Sequence, residues 1–162
     1  MQAKDVIHQL VDFSHGLIGM YVQDLDDADL LVRSVPGSNH IAWQLGHIIA
    51  GTQHMLVELG HPKPQLPEGW REAYGKETAG SDDPARFAKK EEYLALLEQM
   101  KNATHQAIRD TPEDALGAPS PESMQAYAPT IAAALMLQGT HVMMHAGQFV
   151  PIRRKLSKPA MF

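Results

Sequence analysis

His141 and His145 stand four residues apart on an apolar stretch whose periodicity predicts a helix. On a helix, positions i and i+4 share one face, with Cβ atoms roughly 5–6 Å apart. Two imidazoles placed so can converge on one small cation at about 2.0–2.1 Å each. A third histidine, His47, lies in the middle of a second apolar helical pattern. An unpaired polar ring on an apolar face is costly, and each of the three is flanked by small residues that let helices approach: Gly46 and Ala50 beside His47, and Gly139, Ala146 and Gly147 beside the pair. Three neutral imidazoles with one coordination position left open form a catalytic metal geometry. The pair reads H-x-x-x-H, but Val142 stands where a zincin protease needs its general-base Glu, so that chemistry is excluded.

The other six histidines give less. His40, His47, His54 and His61 recur every seven residues. Residues i and i+7 of a helix lie about 10.5 Å apart along its axis, so at most one of His47 and His54 is a ligand of a shared ion. His40, beside a helix start, and His61, beside Pro62, are expected to be exposed. His8, His15 and His105 are read as part-buried or solvated polar residues. Gln138, Gln148, His54 and Tyr74 are the groups that could assist chemistry near the three histidines, each more readily explained as packing, support or surface.

Four long helical patterns must position these residues. The first runs from about Ala3 to Val32 on Val6, Leu10, Phe13, Leu17, Met20 and Tyr21, with Ile7, Val11 and Ile18 widening the stripe, or breaks near Gln23 and restarts as a short helix because Asp24, Asp26, Asp27 and Asp29 are unfavourable at a helix C-terminus. The second, capped by Ser38 or Asn39, runs to about Leu59 and stops at Gly60. The third spans about Asp83 to Arg109, with Pro84 in its first turn. The fourth starts at Thr130 and passes through Pro151, which should bend it by removing a hydrogen bond to Gly147. Residues 61–83 and 110–129 form long Pro-rich connections, and Trp70 and Tyr74 in the first suggest a short covering helix. No β pattern is present. The expectation is all-α: a single domain over 1–162, a four-helix bundle with two long crossover connections. Arg153, Arg154 and Lys155 read as a solvated helix end, the acidic run 24–29 as solvent-facing, and Met143 and Met144 as packing or interface residues.

Composition bounds the function. The chain has 162 residues, 44% hydrophobic and 20% charged, with a net charge of −5, which argues against a nucleic-acid partner. It has no cysteine, hence no thiolate nucleophile, disulfide framework or Cys-rich zinc site. It lacks a leader-like N-terminus and any unbroken apolar stretch of about 18 residues. The expectation is a cytoplasmic protein that engages no membrane.

Two segments resemble a known family. Asn39-His40-Ile41-Ala42-Trp43-Gln44-Leu45-Gly46-His47-Ile48 is similar to the second-helix motif of the DinB/YfiT-like metal-binding superfamily. His141-Val142-Met143-Met144-His145-Ala146-Gly147-Gln148-Phe149, followed by Ile152-Arg153-Arg154, is similar to its last-helix motif, and Pro67, Gly69, Trp70, Tyr74 and Gly75 resemble a looser loop pattern. The resemblance implies a four-helix bundle, a homodimer, and a divalent metal ion (zinc, nickel or iron) held by His47, His141 and His145. It also implies a small-molecule substrate, with a low-molecular-weight thiol in some relatives that are thiol-dependent transferases or isomerases. Relatives often carry an acidic residue about one turn after the second-helix histidine; Gly51, Thr52 and Gln53 stand there here. Three readings follow: a metal-dependent enzyme, a metal-binding or stress-response bundle without catalysis, and a purely structural or ligand-binding bundle.

Overall fold

The computed structural model describes residues 2–161. Four long helices form a bundle: α1 (Ala3–Val22), α2 (Ile41–Glu58), α4 (Lys90–Asp110) and α5 (Ile131–Lys155), with a one-turn helix α3 (Trp70–Ala73) in the connection from α2 to α4. Helix α1 packs on α5 and α4, and α2 packs on the same two, so α1 and α2 lie diagonally opposite. No β-strand is present among the described residues, and none of the helices is long and apolar enough to cross a membrane.

The core explains the helices. α1 buries Ile7, Val11, Ser14, Leu17, Ile18 and Tyr21 at helical spacing. The inward stripe is centred on the Ile7, Val11 and Ile18 side of the expected one, and Val6 and Phe13 face outward at 48% and 58% exposure. The first pattern breaks as its acidic end foretold: α1 stops at Val22, and a 3₁₀ turn spans Asp29–Leu31. The third helix starts later than expected. Asp83 caps a separate 3₁₀ turn at Pro84–Arg86, accepting from Ala85 N at 3.0 Å. The Ala88 N–H then donates to the Tyr74 and Tyr93 hydroxyls, at 3.1 Å each. Those contacts and the burial of Phe87 hold the chain extended until Lys90. Thr130 caps α5 as expected, accepting from Ala133 N at 3.2 Å, and α5 continues through Pro151 to Lys155.

Two expectations about polar residues are overturned. His40 is fully buried rather than exposed. It, and not Ser38 or Asn39, caps α2: its Nδ1 accepts from Trp43 N at 3.0 Å while Nε2 faces Ser81 O at 3.1 Å. Arg153 is likewise not at a solvated helix end. It is wholly buried and ion-paired to Asp24 at 2.6 Å, and it donates to the Tyr21 and Pro159 carbonyls. Part of the acidic run 24–29 is therefore an anchor: Asp24 ties the end of α1 to the end of α5, and Asp27 accepts from Lys90 N at 2.8 Å.

Candidate metal centre

Helix α2 carries His47, and the side chains around it are set by the loop that follows. The Trp43 indole N–H donates to Gly75 O at 3.1 Å and Thr78 Oγ1 at 3.2 Å. So held, its ring stacks flat on His47, with centroids 4.9 Å apart and planes at 8°. Gly46 forms a notch: a Cβ there would fall 2.0 Å from the Tyr74 ring. Trp70 closes the other side by donating to Gly46 O at 3.1 Å. The small residue beside His47 thus admits a loop aromatic rather than the partner helix. The glycine that admits the partner is Gly51, where a Cβ would lie 3.3 Å from Cε1 of His141.

From α5, His141 and His145 turn toward His47. The three ring centroids are 4.8–5.3 Å apart, with interplanar angles from 65° to 79°. Each residue offers one ligand atom within 4.8 Å of the other two. The Nε2 atoms of His141 and His145 are 3.2 Å apart, close to the separation of about 3.3 Å for two nitrogens on one tetrahedral ion at 2.0–2.1 Å. His145 is buried, whereas His47 and His141 are part-exposed, which leaves an approach from outside.

One partner fixes the orientation of His145. The Gln44 Nε2 donates to Asn39 O at 2.8 Å, so its Oε1 faces His145 Nδ1 at 2.9 Å. A carbonyl oxygen only accepts, so Nδ1 carries the proton and Nε2 presents its lone pair to the cluster. Burial, reinforced by the neighbouring imidazoles, lowers His145 to about 3 and His141 to about 4, and burial lowers His47. The rings are neutral at neutral pH, the state that binds a metal. The group contains no carboxylate, so a divalent ion would keep its full charge there. His141 Nδ1 is buried with no hydrogen-bond partner, a cost of about 1–3 kcal/mol for a neutral polar group. The donor set and its spacing fit a metal ion.

Of the four groups that could assist chemistry beside the three histidines, His54 and Gln148 are exposed. Tyr74 is buried, and its hydroxyl is 2.7 Å from that of Tyr93. Gln138 is fully buried with both amide atoms unpartnered. Nothing in the sequence by itself marks Gln44 or Trp43 for these roles. The available signal was their placement one turn before His47, on the buried side of the same helix.

A family model described as the DinB superfamily matches residues 14–149. Among solved structures, the crystal structure of a conserved protein from Enterococcus faecalis superposes with a TM-score of 0.71 at 16% sequence identity, over 98% of this chain and 99% of that one. At that identity the likeness shows the fold alone. No curated protein matches the chain.

Proposed function

The chain belongs to the DinB superfamily, and we propose that His47, His141 and His145 hold a divalent metal ion at an open site that acts on a small molecule. The observation that carries this reading is the convergence of three imidazoles from two helices, with no carboxylate among them. Gln44 keeps the His145 lone pair aimed inward, Trp43 holds His47 in plane, and burial keeps all three rings unprotonated near neutral pH. A cation bound by neutral ligands there would lower the pKa of a coordinated water or thiol and polarise a substrate. For the substrate we propose a low-molecular-weight thiol. Thiol transfer or isomerisation suits the site because the chain supplies no cysteine of its own as nucleophile and the part-exposed rings leave one side open to a ligand.

The test is elemental analysis of untagged protein, followed by conjugation and isomerisation assays with a panel of small thiols. The expected result is a metal-to-chain ratio near one that His141→Ala abolishes, with thiol turnover that follows metal content. Protein without stoichiometric metal overturns the reading. Full metal content with no turnover on any thiol reduces it to a metal-binding bundle.

A further inference from the structure

Each of the four long helices buries a polar side chain where it passes from one apolar cluster to another: Ser14 on α1, Thr52 on α2, Thr104 on α4 and Gln138 on α5, all at most 1% exposed. Along every helix this residue falls between two apolar clusters. On one side lie Val11, Leu56, Ile108 and Leu135, and on the other Ile18, Ile48, Met100 and Val142. The Ser14 and Thr104 hydroxyls donate to the carbonyls of Val11 and Met100, at 3.0 and 2.9 Å, and keep lone pairs to offer. Thr52 Oγ1 and both amide atoms of Gln138 have no partner. The unpartnered Nδ1 of His141 lies on the next turn of α5 from Gln138, beside Gly51, the neighbour of Thr52.

The cluster dictates what His141 Nδ1 must find. His145 Nε2 is a lone pair, because Nδ1 of that ring donates to Gln44. The 3.2 Å contact between the Nε2 atoms then requires that His141 carry its proton on Nε2, which leaves Nδ1 an acceptor. Once Nε2 gives its lone pair to a cation, the ring's single proton must sit on Nδ1, which becomes a donor. The partner of Nδ1 must therefore both donate and accept. Water, a hydroxyl and a primary amide do this, whereas a backbone carbonyl or an ammonium does not. We propose that the Ser14–Thr52–Thr104–Gln138 layer holds internal water that hydrogen-bonds His141 Nδ1, making Gln138 and Thr52 positioning residues for that ring.

The inference rests on the metal-site reading above for its use, but its test does not need the metal. In metal-free protein, ¹⁵N-resolved NMR is expected to show cross-relaxation between the Gln138 side-chain amide and long-lived water. The His141 ring should be in its Nε2–H form. Gln138→Met and Thr52→Val, near in volume to the native residues, should each move the His141 Nδ1 shift and leave that of His145 in place, whereas Thr52→Ser restores it. In zinc titrations of the same proteins, the two apolar variants should lose roughly 10–100-fold in affinity. Wild-type protein without the water signal, or a His141 Nδ1 shift unchanged in both apolar variants, overturns the proposal. A chain that binds no zinc but shows the water signal and the shift changes refutes the metal reading and leaves the hydrated layer standing.

Discussion

At the scale of single residues, the three imidazoles depend on what stands behind them. Gln44 lets His145 present only one nitrogen, and Asn39 O keeps the amide from flipping. Replacing Gln44 with Met preserves bulk and removes the acceptor. Zinc affinity, measured by competition with a chromophoric chelator, is expected to fall roughly 10–100-fold with little change in the fold. Unchanged affinity would mean that the contact does not orient the ring. Protonation gives a second prediction, for the metal-free protein. His141 at about 4 and His145 at about 3 lie below their ordinary value of 6.5. Between those values the unfolded chain binds more protons than the folded one, so stability rises with pH. Their contribution is complete above about 6.5 and is lost as pH falls through about 4 and then 3. His8, His15 and His40 are also lowered, by burial first, and add in the same sense. Urea midpoints for wild type and a His141→Phe/His145→Leu double variant isolate the pair: the variant should lose less stability between pH 6.5 and 4. Equal losses would show that these rings are not held neutral by the fold. The three histidines themselves were legible because i, i+4 spacing and an apolar setting are sequence properties. Gln44 and the burial of His40 were not, since a polar side chain inside a helix looks alike whether it faces solvent or caps, until the opposing elements are in place.

At the scale of elements, the connection from α2 to α4 sets the floor of the site. Its aromatics are inserted into α2: Tyr74 fills the notch at Gly46, Trp70 caps the Gly46 carbonyl, and Gly75 and Thr78 hold Trp43, which in turn lies flat on His47. Gly46→Ala places a methyl group where the Tyr74 ring sits, so either ring or helix must yield. Overpacking of this kind costs about 1–3 kcal/mol. Thermal unfolding is expected to show that loss together with weaker zinc binding, because the displaced loop releases Trp43. Destabilisation with wild-type zinc affinity would show that the loop supports the bundle and not His47. Helix ends were the least legible part of these elements. Asp24 and Arg153 each looked like solvated charge in their own segment, and only the meeting of α1 and α5 makes them a pair. The start of α4 differs from expectation for a similar reason: Pro84 does open a helical turn, but one of the two tyrosine hydroxyls that capture the Ala88 N–H, that of Tyr74, comes from the preceding connection.

For the whole molecule, the proposed ligand set joins two helices that are far apart in sequence and adjacent in the bundle. His47 comes from α2 and the pair from α5. The unfolded chain keeps the i, i+4 pair within reach of each other but not His47, so an ion that needs all three binds the folded state in preference. Such a ligand stabilises by about 2.7 kcal/mol at a hundred times its Kd and about 4.1 kcal/mol at a thousand times. For a chain of this length each kcal/mol shifts Tm by roughly 2–4 °C, so saturating zinc is expected to raise the Tm of chelator-stripped protein by roughly 5–15 °C. The rise should grow with the logarithm of zinc concentration and reverse on adding chelator. His47→Ala is the decisive control, since it spares the α5 pair that any helix of that sequence would present. If the shift survives in His47→Ala, the pair alone binds the ion and the bundle contributes no third ligand. If wild type shows no shift, the fold has brought three neutral rings together for packing alone. A shift lost only with His47 ties metal affinity to the packing of α2 on α5, and so to the folded state of the whole bundle.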